Sequence, residues 1–259
     1  MHPDWLIPQW PAPGRVRAVC TTRAGGRSVG PYESLNLGDH VGDDPFAVGA
    51  NRAVLHEAIG ARPVFLSQVH GIGVVELGHH TPQGTTADAC ITTEPGVACT
   101  IMVADCLPLL FTDEQGSFVA AAHAGWRGLA GQAGIGVLES VSHRFLPSAP
   151  AGRAQAAAKI MAWLGPCIGP DAFEVGPEVK LAFELNDPMA SACFKPMAGG
   201  KWLADLPALA RQRLRALGLT RIFGNDGSPA WCTVRNPSRF FSHRRDGVSG
   251  RMAACIWLS

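Results

Sequence analysis

Six short apolar runs bounded by glycine, proline or aspartate constrain the fold of this chain more than any other feature. They cover residues 16–22, 97–103, 109–112, 118–122, 161–164 and 252–258. Their length and boundaries are those of buried strands. Three further segments have helical spacing and legible ends. Asp43-Asp44-Pro45 sets a capping carboxylate ahead of a first-turn proline, and the pattern stops at Gly60. Residues 131–145 are expected to form a second helix, and 205–217 a third with Gly218 as its C-cap. Strands and helices follow no regular β-α-β rhythm, so an α+β class is expected rather than a doubly wound parallel sheet. The stretches 146–152 and 195–200 read as surface loops. Apolar strand-like runs continue on both sides of each, so residues 1–259 are expected to form a single domain.

Composition narrows the functional classes. Apolar residues make up 47% of the 259 positions and charged ones 17%, far from the disordered range. A formal net charge of +1 supplies no broad field for nucleic acid or an anionic membrane, so neither is an expected partner. The basic run Arg211-Gln212-Arg213-Leu214-Arg215 reads as a solvated helix face. No run reaches the ~18–20 apolar residues that span a bilayer. Met1-His2-Pro3-Asp4-Trp5 lacks the basic and apolar regions of a secretory signal. The eight cysteines contain no Cys-x-x-Cys pair and are spread through apolar segments. They read as small core residues of a cytoplasmic protein.

Three segments combine reactive side chains with turn residues: Ser67-Gln68-Val69-His70-Gly71, Ala104-Asp105-Cys106-Leu107-Pro108, and Ala121-Ala122-His123-Ala124-Gly125-Trp126-Arg127-Gly128. Each reactive residue sits near the end of an apolar run, a rigid platform facing loops. Two imidazoles and one thiolate suit zinc, and three protein ligands leave a fourth position open for chemistry. The segments are far apart in sequence, so spacing alone does not show that they converge. The same residues also fit a Cys-His hydrolase or amidase acting on peptide or cell-wall fragments. Cys106 would be its nucleophile and His123 its base, with nearby glycine amides for an oxyanion. A multicopper oxidase is a poorer fit, because none of the nine histidines forms the His-x-His pairs of a trinuclear cluster. Copper at the His/Cys site would be adventitious.

Ordered motifs along nearly the whole chain resemble one family. Besides the three segments above, they include Thr21-Thr22-Arg23-Ala24-Gly25-Gly26, Ser34-Leu35-Asn36-Leu37-Gly38 and Trp163-Leu164-Gly165-Pro166-Cys167-Ile168-Gly169-Pro170. Phe173-Glu174-Val175-Gly176 and Phe240-Phe241-Ser242-His243-Arg244-Arg245-Asp246-Gly247 continue the series. The family is the YfiH-type, or laccase-domain (polyphenol oxidase), family, regarded as purine nucleoside phosphorylases with adenosine deaminase activity. The resemblance implies zinc held by His70, Cys106 and His123. It also implies a four-layer α+β sandwich of mixed sheets flanked by helices, shared with deamidating toxins. His243 stands where the family more usually has tyrosine, and Gln132 where it often has a second glycine.

Such an enzyme would take purine nucleosides and phosphate as its small-molecule partners. Arginine suits phosphate through its planar fork of donors, which makes Arg23, ahead of two glycines, and Arg244 the candidates. Asn36 and Gln68 are candidates for substrate binding. Asp105, beside a ligand, is either a proton carrier or an acceptor that orients that ligand, and Glu174 is a second carboxylate for proton transfer. Cys106 and His123 complete the expected catalytic set.

Overall fold

In the computed structural model, which describes residues 1–149 and 152–259, two sheets stack face to face with helices on both outer faces. The strands begin with β1 (Val16–Cys20), β2 (Arg62–Phe65), β3 (Val74–Glu76), β4 (Ala89–Thr92) and β5 (Val97–Val103). They continue with β6 (Leu107–Asp113), β7 (Val119–Ala124), β8 (Ile160–Leu164) and β9 (Glu174–Val175). The last are β10 (Phe194–Pro196), β11 (Trp202–Ala204), β12 (Arg221–Gly224) and β13 (Met252–Leu258). The α-helices begin with α1 (Pro45–Ile59), α2 (Trp126–Ala130), α3 (Val137–Ser142) and α4 (Arg153–Ala157). They end with α5 (Pro177–Glu184), α6 (Leu206–Ala216) and α7 (His243–Asp246).

One sheet has the order β1-β13-β5-β2 and the other β12-β8-β6-β7-β4-β3, each mixing parallel and antiparallel pairs. A small antiparallel sheet has the order β10-β11-β9, and its Val175, Phe194 and Ala204 join the core that also holds Ala120 and Ala122 of β7. Side-chain alternation explains the stack. In β5, Val97, Cys99, Ile101 and Val103 face the core between the sheets, while Ala98 and Met102 join Leu55 and Ile59 of α1 on the other side. In β7, Val119 and Ala121 face the same inter-sheet core, while Ala120 and Ala122 pack with residues of α3, α5 and α6. Helix, sheet, sheet and helix therefore make four layers of an α+β sandwich, as expected. Strands such as β5, buried on both faces, read as continuous apolar runs for this reason.

Helix ends follow local chemistry. The Asp44 carboxylate accepts the Phe46 amide at 3.0 Å, and α1 stops at Gly60 with φ +65°. Asp205 caps α6 through the Ala208 amide at 2.9 Å. The helix expected over 131–145 is shorter: only Val137–Ser142 is α-helical. Gln132 and Ile135 bond reciprocally through their backbones, and a Cβ on Gly131 would lie 2.0 Å from the Ile135 carbonyl oxygen. Helical spacing carries through these residues, but left-handed glycines turn the chain instead.

The basic run on α6 is also not a purely solvated face. Arg211 donates to the carbonyls of Ile222, Gly224 and Asn225, Arg213 pairs with Glu139, and Leu214 is buried. The 195–200 stretch is less of a loop than expected, since Phe194–Pro196 pairs with Trp202–Ala204. Within the 146–152 loop, Pro150 and Ala151 lie outside the described residues. All eight cysteines are free and six are buried. No helix among the described residues is long and apolar enough to cross a membrane.

Candidate metal centre

Three loops and strand ends meet at one end of the sandwich. His123 lies in β7 opposite Pro108 of β6, and Cys106 immediately precedes β6. His70 sits between β2 and β3 with φ +59°, a left-handed conformation uncommon for a residue with a Cβ. Nitrogen and sulfur atoms of His70, Cys106 and His123 all lie within 4.8 Å of one another. The Cys106 Sγ is 3.6 Å from His70 Nε2, and the two imidazoles meet edge to face with centroids 4.7 Å apart. The backbone makes room for this crowding at Gly125. A Cβ there would lie 2.8 Å from His70 Cδ2 and 3.0 Å from Cys106 Sγ. Gly128 is equally constrained, since its Cβ would lie 2.7 Å from the Gly71 carbonyl oxygen.

A buried carboxylate ties the cluster together. Asp88 accepts from the amides of Val69 (3.2 Å), His70 (2.9 Å) and Gly71 (2.7 Å), and lies 2.9 Å from His123 Nδ1. With Nδ1–H directed to a carboxylate, His123 keeps the Nε2 lone pair for the cluster. Burial opposes ionisation of Asp88, but the His123 hydrogen bond and charge and the loop amides outweigh it and hold its pKa low. At Cys106, burial is likewise outweighed by the His123 charge and by hydrogen bonds from both imidazoles, which bring the thiol down to about 6. Burial lowers His123 in turn, but the Cys106 thiolate and Asp88 raise it on balance. A thiolate and two imidazoles held this close form a donor set suited to a borderline-soft divalent ion.

The cluster opens into a cavity of about 430 Å³ lined by Gln68, Asp105, Trp126, Phe173, Arg244 and Arg251, among others. Not every residue expected at the site has donors or acceptors left to use there. Gln68 lines the cavity, but its amide bonds both ways to the Met102 backbone at 2.8 Å. Asp105, with φ +91°, accepts from the Thr233 hydroxyl at 2.5 Å and the Arg244 amide at 2.6 Å. It thereby fixes the α7 end of the site instead of touching an imidazole. Arg244 lines the cavity with one nitrogen on the Glu174 carbonyl at 2.9 Å. The Glu174 carboxylate pairs with Lys201.

Arg23 and Asn36 do not line the cavity. Arg23 donates to the carbonyls of Glu33 (2.7 Å) and Pro237 (2.8 Å) and stacks over Phe241. Asn36 is buried, with its Oδ1 accepting from Gly38 (2.9 Å) and Arg251 (2.8 Å). Sequence reasoning missed two residues, Asp88 and Arg251. A lone carboxylate in the run Thr86-Ala87-Asp88-Ala89-Cys90-Ile91 was the available signal for the first, because an isolated charge entering a buried strand needs partners.

The family model described as multi-copper polyphenol oxidoreductase laccase matches residues 17–259. The chain is 49% identical to a Pseudomonas aeruginosa protein named purine nucleoside phosphorylase, over 98% of each chain. It is 48% identical to purine nucleoside phosphorylase YfiH of Escherichia coli, again over 98% of each. Among solved structures, a Neisseria meningitidis protein matches with a TM-score of 0.90 and 45% identity, covering 99% of both chains. The hypothetical protein YfiH of Bacillus licheniformis matches with a TM-score of 0.82 and 30% identity, over 94% of this chain and 93% of its own.

Proposed function

We propose that this chain, which belongs to the multi-copper polyphenol oxidoreductase laccase family, is a zinc-dependent purine nucleoside phosphorylase. The observation that carries the reading is the convergence of His70, Cys106 and His123 at the wall of a cavity large enough for a nucleoside. The names of the Pseudomonas and Escherichia relatives supply the reaction class. Zinc is favoured over a copper array, because the described residues offer one three-donor group and multicopper chemistry needs several.

Phosphorolysis breaks the bond between ribose C1′ and the base nitrogen and joins C1′ to a phosphate oxygen. The base leaves with the bonding electron pair and takes up a proton. In this reading His70, Cys106 and His123 hold the metal, and Asp88 keeps His123 in the tautomer that can do so. When bound, zinc supplies a Lewis acid beside the reacting groups. Phe173 and Trp126 give the purine apolar walls, while Arg244 supplies positive charge for phosphate. Deamination of adenosine ranks second. It needs a carboxylate to carry a proton, and Asp105, the carboxylate lining the cavity among the described residues, is already bonded on both oxygens.

We also take residues 1–259 as one domain, supported by the core shared between the two large sheets. A cytoplasmic setting is supported by eight free thiols. The test is to incubate the protein with inosine or adenosine, with and without phosphate. Free base and ribose 1-phosphate are expected only when phosphate is present, with activity lost to a chelator and restored by zinc. Absence of turnover by zinc-loaded protein would falsify the proposal.

One further observation supports a hydrolase reading: Asp88, His123 and Cys106 follow in the order orienter, base and nucleophile. Hydrolysis that survives metal removal but not alkylation of Cys106 would favour it.

A further inference from the structure

Three arginines line the cavity: Arg127, Arg244 and Arg251. Among the described residues, arginine–carboxylate pairs involve Arg52, Arg144, Arg213, Arg221, Arg235 and Arg245, so none of the cavity arginines is neutralised by a carboxylate. Arg127 is exposed at the rim with its guanidinium over the Trp126 ring, and Arg244 leans over Phe173 with one nitrogen on a carbonyl. Arg251 differs from both in how it is built in. Its Nη1 donates to the carbonyls of Ser249 at 2.9 Å and Gly250 at 3.1 Å. Its Nε and Nη2 have no acceptor among the described residues and are not sealed from solvent. That Nε–Nη2 edge is the one that forms two parallel bonds with an oxyanion.

The surrounding residues hold this edge in place. Asn36 Oδ1 accepts the Arg251 amide at 2.8 Å, and the Arg251 carbonyl accepts from Leu37 at 3.0 Å. A Cβ on Gly38 would lie 2.7 Å from Arg251 Cγ, and one on Gly250 would lie 3.0 Å from Asn36 Cβ. The Ser34-Leu35-Asn36-Leu37-Gly38 motif, which does not reach the cavity itself, therefore serves as a mount for Arg251. Arg251 lines the same cavity as His70, Cys106 and His123, which places it beside the metal-binding cluster.

We propose that the Nε–Nη2 edge of Arg251 is the anchoring site for the orthophosphate co-substrate, with Asn36 as its positioning residue. The proposal rests on the phosphorolytic reading, and binding distinguishes failure of one from failure of the other. Orthophosphate is titrated into the wild-type holoprotein, Arg251→Gln and Arg251→Lys, using calorimetry and the shift in melting temperature. Wild type is expected to bind phosphate. Arg251→Gln should weaken binding roughly 10- to 100-fold, the loss that follows from removing hydrogen bonds to a charged group. Arg251→Lys keeps the charge without the fork and should still lose about tenfold.

The phosphate-free melting temperature of each variant checks folding, and if the glutamine variant fails it the lysine variant carries the test. Where turnover is present, the lysine variant should raise KM for phosphate more than KM for the nucleoside. Wild type that ignores millimolar phosphate, or an Arg251→Lys protein that binds it as wild type does, overturns the proposal. Phosphate binding that needs Arg251 in a protein without phosphorolytic turnover would uphold the anion site and remove the reaction assigned to it.

Discussion

At the scale of single residues, Asp88 accounts for more of the site than either histidine. One carboxylate receives three amides of the His70 loop and the Nδ1 of His123, so it sets the position of one ligand and the tautomer of another. Asp88→Asn keeps the shape and removes the charge. An amide nitrogen then faces donors that formerly met an acceptor, and His123 loses the partner that raises the basicity of its free nitrogen. Metal affinity is expected to fall roughly 10- to 100-fold, the usual effect of losing such a support. Competition against a chromogenic chelator measures it, and an unchanged affinity would show that the cluster orients itself. Residue chemistry marked His70, Cys106 and His123 as side chains able to bind a soft metal, but the family resemblance was what joined them into one site. Residue chemistry also put forward Arg23 and Asn36, which lie outside the cavity lining, because donor types do not reveal whether a neighbouring carbonyl or amide already uses them.

At the scale of elements, the entry from β7 into α2 carries the tightest constraint. Gly125 is the N-cap of α2 and sits against both His70 and Cys106. Gly125→Ala would push a methyl group into the ligands, whose geometry must hold to about 0.5 Å. We expect metal affinity to drop tenfold or more, with the metal-free melting temperature changed by only a few degrees, read by chelator competition and calorimetry. Equal metal affinity in the alanine variant would mean that the ligands have slack. Long buried strands were easy to read: β5 and β13 run over the same residues as the apolar runs that announce them. Short ones such as β3, β9 and β11, only two or three residues long and half exposed, leave no period to detect. The turn ahead of α3 was missed for another reason. Its apolar residues keep helical spacing while glycines at 131 and 134 take left-handed conformations that spacing does not encode.

At the scale of the whole molecule, metal binding and acid stability are linked through the same cluster. Positions 70, 88, 106 and 123 come from separate strands and loops, so an ion there binds the folded chain and not the unfolded one. Mass action then stabilises the fold by about 4 kcal/mol when free metal is ~1,000 times Kd. At this chain length that raises the melting temperature by roughly 10 °C. Protons compete for His123, raised to about 9, and for the Cys106 thiolate, brought down to about 6, so this increment shrinks as pH falls below about 9 and fades through about 6. Asp88 acts lower on the scale. Its folded pKa is depressed, so its contribution is complete above the unfolded carboxyl value of about 3.9 and is lost as pH falls through the lower folded value. Two separate acid steps follow. Melting temperatures of holo and chelator-treated protein should differ at pH 7.5 and converge below about pH 5, and Asp88→Asn should reduce, without abolishing, the carboxylate-dependent decline below about pH 4, since Asp226 is also held low by Ser228. Curves for holo and metal-free protein that stay parallel down to pH 3 would separate the metal from the fold, and with it the role assigned to the cluster.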